Sequence, residues 1–93
     1  MQMLNMAKRA EKTIIKRILA GQFVLTVHAR ERMNERFVSE LDIVEVAKTI
    51  KLIEYQKHND TYLLIGLDTW REKLMVSTAL RGGVIIVTVF FEE

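Results

Sequence analysis

Residues 28–37 read His-Ala-Arg-Glu-Arg-Met-Asn-Glu-Arg-Phe and hold the side chains of this chain best suited to chemistry. On a helix of 3.6 residues per turn, His28, Arg32 and Arg36 fall at i, i+4 and i+8 and form one row. Ala29, Met33 and Phe37 form an apolar stripe beside it, and Glu31 and Glu35 lie beyond. A helix docked through that stripe carries one imidazole and two guanidinium groups along the edge of its buried face. Half desolvated there, an imidazole can move a proton near neutral pH, and guanidiniums can grip a phosphate through paired hydrogen bonds. The same residues also permit a plainer arrangement, in which His28 opens the helix, Arg32 pairs with Glu35 at i+3, and the charged face is solvated.

Other elements must position that row. Residues 23–27, Phe-Val-Leu-Thr-Val, are β-branched and aromatic and follow Gly21, so they predict a strand leading into a helix over 28–36. Upstream, residues 4–20 predict a helix with Leu4, Ala7, Ile14 and Ile18 on one face and Lys8, Arg9, Lys12 and Lys16 on the other. Gly21 stops it, because glycine adopts the left-handed conformation at little cost. The basic face is a candidate track for nucleic-acid phosphates, with Lys73 as a further cation. Downstream, Ser39-Glu40-Leu41-Asp42 has the pattern of a capping box. A third helix is expected from there to about Lys51, burying Leu41, Ile43, Val44, Ala47 and Ile50.

From residue 52 the period becomes two. Strands are expected at Leu52–Lys57, Tyr62–Leu67, Lys73–Leu80 and Val84–Phe91, joined by turns at His58-Asn59-Asp60, Asp68-Thr69-Trp70-Arg71 and Arg81-Gly82-Gly83. Such short links imply an antiparallel meander. In the last strand, Ile85, Val87, Val89 and Phe91 are expected to face the helices, with Val84, Ile86, Thr88 and Phe90 on the other side. Lys73, Met75, Ser77 and Ala79 should share that open face with Thr88. A mixed, half-apolar open face suits a partner protein, a second copy or RNA bases. Trp70 is expected to act as a lid on the core, the alternative being an exposed stacking residue. His58 belongs to a surface turn and is expected to be inert. The expected fold class is α+β, a twisted antiparallel sheet of four to five strands with helices packed on one face.

Composition narrows the function. A 93-residue chain is one domain, with residues 1–22 as an N-terminal helix and 23–91 as the α+β core. Nearly half the residues are hydrophobic, which excludes a disordered chain. There is no cysteine, so no disulfide framework or thiolate metal site, and the two histidines lie far apart. No run approaches a membrane span, and a cytoplasmic protein without a cofactor or bound metal is expected. Charge is uneven. Residues 1–36 hold eight basic and three acidic side chains, a net +5, while residues 37–93 hold six and nine, a net −3. A basic half suggests a polyanion or an acidic partner on that side.

The run Leu25-Thr26-Val27-His28-Ala29-Arg30-Glu31-Arg32-Met33-Asn34-Glu35-Arg36 resembles the signature of a small uncharacterised bacterial and phage domain family. Its hallmark is a strand ending in His-Ala, an Arg four residues after the His and a second Arg four later. A Ser-x-x-Asp-Ile helix start comes next, as in Ser39–Ile43, and a closing hairpin ends in Thr-x-aromatic, as in Thr88-Val89-Phe90. The resemblance covers roughly residues 23–90. That family is grouped with the RelE/ParE-like toxins and the barnase-like, metal-independent RNases. The resemblance implies a toxin-like endoribonuclease with His28, Arg32 and Arg36 as main site residues, and with Arg81, Thr88 and Lys73 supplied by the sheet. Many members have Gly where this chain has Phe37.

The implied chemistry is attack of an RNA 2′-hydroxyl on the adjacent phosphorus, giving a 2′,3′-cyclic phosphate. His28 is the proton-transfer group, Arg32, Arg36 and Arg81 stabilise the phosphorane, and Glu35 is either a base or the partner of Arg32. The alternative is a non-catalytic module that binds nucleic acid through its basic N-terminal third or docks a cognate antitoxin or other protein, in the manner of an immunity protein, on the open sheet face. A monomer or weak homodimer is expected in either case.

Overall fold

Turn formers alternating with apolar runs between residues 52 and 91 build four strands of an open five-stranded sheet. The computed structural model describes residues 2–92, with side chains from Lys8 onward. The expected core positions Leu4 and Ala7 lie outside those described side chains. The elements are α1 (Gln2–Leu19), β1 (Phe23–Leu25), α2 (Val27–Arg36), α3 (Glu40–Lys48), β2 (Leu52–Gln56), β3 (Thr61–Leu67), β4 (Lys73–Leu80) and β5 (Val84–Phe91). The fold class is α+β.

Strands β2 to β5 form the antiparallel meander, and the order across the sheet is β1-β5-β4-β3-β2. Strand β1 lies beside β5 and runs parallel to it, with Phe23 opposite Val84 and Leu25 opposite Ile86. The sheet is therefore mixed, and the wholly antiparallel sheet expected from the sequence is corrected at this edge. The strand expected over residues 23–27 is also shorter. Thr26 leaves it to cap α2, and Val27 is already helical.

All three helices cover one face. Ile14 and Ile18 of α1, Ala29 and Met33 of α2, and Ile43, Val46 and Ala47 of α3 meet Leu64, Leu74, Val76, Val84, Ile86 and Val89 of the sheet. Strand β5 corrects the expected alternation. Val89 and Phe91 face the helices as expected, but so do Val84 and Ile86 in place of Ile85 and Val87. The cause is a β-bulge. Ser77 pairs with Thr88 and Thr78 with Ile86, so Val87 is an extra residue and the parity of β5 inverts there. On the other face, Ser77 lies opposite Thr88 and Met75 opposite Phe90, as expected.

Helix α3 approaches β3 closely at Gly66, where a Cβ would stand 2.6 Å from the Val46 carbonyl oxygen. Thr49 closes that contact. Its hydroxyl donates to the Glu45 carbonyl at 2.8 Å and accepts from the Leu67 amide at 2.8 Å. Leu41, expected in the core, is 72% exposed. Ile43, Val46 and Ala47 take the buried face of α3, and Leu41 falls outside that stripe.

The start of α3 is fixed by the capping box and by a second use of its carboxylate. The Ser39 hydroxyl accepts from the Asp42 amide, and Asp42 accepts from the Ser39 amide at 2.8 Å. Its other oxygen accepts from the Thr69 amide at 2.8 Å and from the Thr69 hydroxyl. One buried carboxylate thus clasps the α2–α3 link to the β3–β4 turn. Burial pushes its pKa up, but the hydrogen bonds from Ser39 and Thr69 prevail and hold it below the usual aspartate value. A depressed folded-state pKa adds stability above the unfolded value, and that stability is lost as pH falls through the folded value. The Asp42→Asn variant is therefore expected to be less stable than the parent at neutral pH. The gap should close as pH drops below 3.8, the ordinary aspartate value, in denaturant titrations run from neutral to acid pH.

Candidate functional site

Helix α2 is held at both ends by devices written in its flanking residues. At its start the Thr26 hydroxyl accepts from the Ala29 amide at 2.9 Å and donates to the Val87 carbonyl at 2.8 Å. The Thr26 amide donates to the Ile86 carbonyl at 3.1 Å. The helix therefore grows from the bulge in β5. At its end Phe37 holds a left-handed conformation, φ 58°, and both its amide and that of Val38 donate to the Met33 carbonyl. Val38 is buried and takes the third place in the apolar stripe begun by Ala29 and Met33. Phe37, expected there, is instead 90% exposed. The left-handed turn swings it out, at the position where glycine is normally free of strain.

The row lies on one side of α2, and its two guanidiniums are half desolvated as expected, but its imidazole is not. His28 stands exposed in the first turn. Arg32, half-buried, pairs with Glu35 at 3.2 Å. Glu35 is thus held as the partner of Arg32. Arg36 is half-buried, and its Nε is enclosed without a hydrogen-bond partner among the described residues. An unpaired buried donor is costly to the fold. From His28 to Arg36 the row spans about 12 Å of helix. It begins at a helix N-terminus, whose free amides favour an anion.

Two of the sheet residues expected to join this row, Arg81 and Thr88, do not. Arg81 lies in the β4–β5 turn, where it donates to the Asn59 carbonyl at 3.2 Å and faces Asp60 at 4.0 Å. That places it with the β2–β3 turn, near where β1 starts, whereas α2 starts where β1 ends. Thr88 sits on the sheet face away from the helices, since its neighbour Val89 is in the core. Lys73 opens β4 at the opposite end from Arg81 and pairs with Glu92 at 3.1 Å. Lys8, Arg9, Lys12 and Lys16 are placed on α1, away from α2 in sequence, and all four are exposed there. His58 is exposed in its turn. Among the described residues no three His, Asp or Glu side chains converge as metal ligands, and no helix is long and apolar enough to cross a membrane.

Two aromatic residues depart from the sequence expectation. Trp70, expected as a lid, is 78% exposed. Its turn is pinned by Asp68, whose buried carboxylate accepts from the Trp70 and Glu72 amides at 2.8 Å each. Phe37 is the other. The signal available in the sequence is an aromatic residue next to an arginine within a turn, as in Arg36-Phe37 and Trp70-Arg71.

A family model described as a domain of unknown function, DUF4258, matches residues 25–91. The chain belongs to the DUF4258 family. The matched span begins at the end of β1, so α2 and its row of cations fall inside it and α1 falls outside. No curated protein and no solved structure matches the chain.

Two substitutions test how α2 is held. Thr26→Val keeps the shape but removes both hydroxyl bonds, and is expected to cost about 1–2 kcal/mol of unfolding free energy. Phe37→Gly relieves a left-handed side-chain conformation with no packing to lose. It is expected to stabilise the fold by about 1 kcal/mol, even after the added flexibility of the unfolded chain. Chemical denaturation of both variants checks these opposite signs.

Proposed function

We propose that this DUF4258 domain is a toxin-like, metal-independent endoribonuclease of the RelE-like kind, acting on RNA in the cytoplasm with the exposed row of α2 as its site. The observation that supports this reading is the row itself, with one imidazole and two guanidiniums on successive turns. A phosphodiester laid along it meets Arg36 and Arg32 through charge-assisted hydrogen bonds, and its 2′-hydroxyl lies beside His28. His28 takes the 2′-hydroxyl proton as the oxygen attacks phosphorus. The bond to the 5′-oxygen breaks, that oxygen takes a proton from water, and His28 returns its proton to solvent, leaving a 2′,3′-cyclic phosphate and a 5′-hydroxyl.

A second reading has its own support. Arg81 and Thr88 lie apart from α2, so these two sheet residues add nothing to the row. That dispersal favours a surface that binds nucleic acid without cleaving it, with the basic face of α1 as its extension. Docking of a partner protein on the open sheet face is the remaining form of that reading.

Digestion of labelled RNA in excess EDTA separates them. The parent protein is expected to release products with 2′,3′-cyclic phosphate ends, and His28→Ala is expected to lower the rate roughly 10²–10⁴-fold while leaving binding intact. Arg32→Ala and Arg36→Met should weaken binding and reduce the slope of log affinity against log salt by about 0.7 for each lost phosphate contact. Binding that survives without any cleavage by either protein would move the assignment to the non-catalytic module. Equal cleavage by both would expose a contaminant.

A further inference from the structure

Two of the most exposed large apolar side chains flank one structural element. Phe37 is 90% exposed and Trp70 78%. Phe37 lies two residues before Ser39 and Trp70 directly after Thr69, and Ser39 and Thr69 are the two residues that Asp42 holds together. The turns are therefore clasped side by side at the start of α3. Each aromatic adjoins an arginine in sequence. Arg36 ends the cation row of α2, and Arg71 is exposed and stands 4.0 Å from Glu45. Both turns contain a left-handed residue other than glycine, Phe37 at φ 58° and Arg71 at φ 67°. Strain of this kind persists where the surrounding structure over-determines it, and it is concentrated at binding sites. Nothing in the packing of Phe37 accounts for it, because the side chain touches almost nothing.

We infer that Phe37 and Trp70 form a stacking platform for unpaired RNA bases, set at the Arg36 end of the α2 row. The assignment rests on the reading of α2 as a phosphate-gripping edge, and adds to it where the bases go and which form of RNA is bound. Aromatic faces accept any base, and neighbouring guanidiniums hold the backbone, so the ligand is single-stranded RNA with little sequence preference. A duplex, whose bases stay stacked on one another, is disfavoured. The two turns present their rings from fixed backbones, since the Asp42 and Asp68 carboxylates tie both.

Trp70 is the single tryptophan of the chain, so its emission reports this site alone. The test titrates the intact protein with an oligouridylate of about ten nucleotides, a length within the usual footprint of single-strand binders. A parallel titration uses an abasic oligomer of the same length, and a duplex of that length gives the third arm. Expected results are quenching of Trp70 emission by the oligouridylate and little change with the abasic strand or the duplex. Phe37→Ala and Trp70→Ala, assayed by anisotropy of labelled RNA, should each lose roughly fivefold or more in affinity with an unchanged salt slope. Arg32→Ala should instead reduce that slope. If both aromatic variants bind as the parent does while Arg32→Ala weakens binding, the platform is overturned and the phosphate-gripping row stands. If the parent binds no RNA, row and platform fall together. If Trp70 emission shifts with protein concentration in the absence of RNA, the surface joins copies of this chain and the platform is likewise overturned. Retained helical circular dichroism in each variant shows that loss of affinity is not loss of fold.

Discussion

The contact between Thr26 and the bulge at Val87 organises this domain. An extra residue in β5 does two things together. It inverts the strand's alternation, so that Val84 and Ile86 on one side of it and Val89 and Phe91 on the other all reach the helix-covered face. It also presents a carbonyl that the Thr26 hydroxyl claims. The same hydroxyl caps α2, and the Thr26 amide continues the β1–β5 ladder onto Ile86. One threonine thus ends a strand, starts a helix and locks the angle between them. The position of His28, two residues on, is set by that lock. Bulges are common beside functional sites because they re-aim neighbouring side chains.

A second fixed point, the Asp42 carboxylate, does for the other end of the site what Thr26 does for its start. It satisfies the N-terminus of α3 and also reaches across to the β3–β4 turn. A buried carboxylate is tolerated only when hydrogen-bonded, and here both oxygens are occupied. The consequence is geometric. The loop leaving α2 and the turn carrying Trp70 are tied to each other through one carboxylate at the start of α3. Gly66, pressed against the Val46 carbonyl, keeps α3 close enough to β3 for that clasp to reach.

Much of this architecture is legible in the sequence, and the departures share a cause. The capping box at Ser39–Asp42, the stop at Gly21 and the strand bounds at Lys73–Leu80 and Val84–Phe91 depend on local chemistry, and the structure agrees with each. The parity of β5 does not come from local chemistry, because a bulge carries no local mark: Val87 looks like any strand valine until its partner strand is known. Extending the stripe of Ala29 and Met33 one turn further puts Phe37 in the core, although the helix ends before it and Val38 fills the place. Leu41 departs for a related reason, since α3 carries more apolar residues than its buried face can hold. At the site, the α2 row is legible because it lies within one helix. Placing Arg81, Thr88 and Lys73 requires knowing which ends and faces of the sheet meet, and spacing along the chain does not contain that.

The left-handed phenylalanine ties stability to the site. A domain of this size buries a modest core and holds a small margin of stability, of which about 1 kcal/mol is a noticeable part. Residue 37 uses that much to hold a side chain that contributes no packing, at the place where glycine would be free. Drift toward marginal stability alone would not select a large aromatic ring in the one backbone region that disfavours it. A ring beside Arg36 that faces solvent and packs against almost nothing is a cost to the fold without a return in its core. The same reasoning covers the Arg36 Nε, a donor enclosed and unanswered among the described residues. Two adjacent residues, each a cost to stability for a different physical reason, thus stand together at the end of α2, where the proposed row and platform meet.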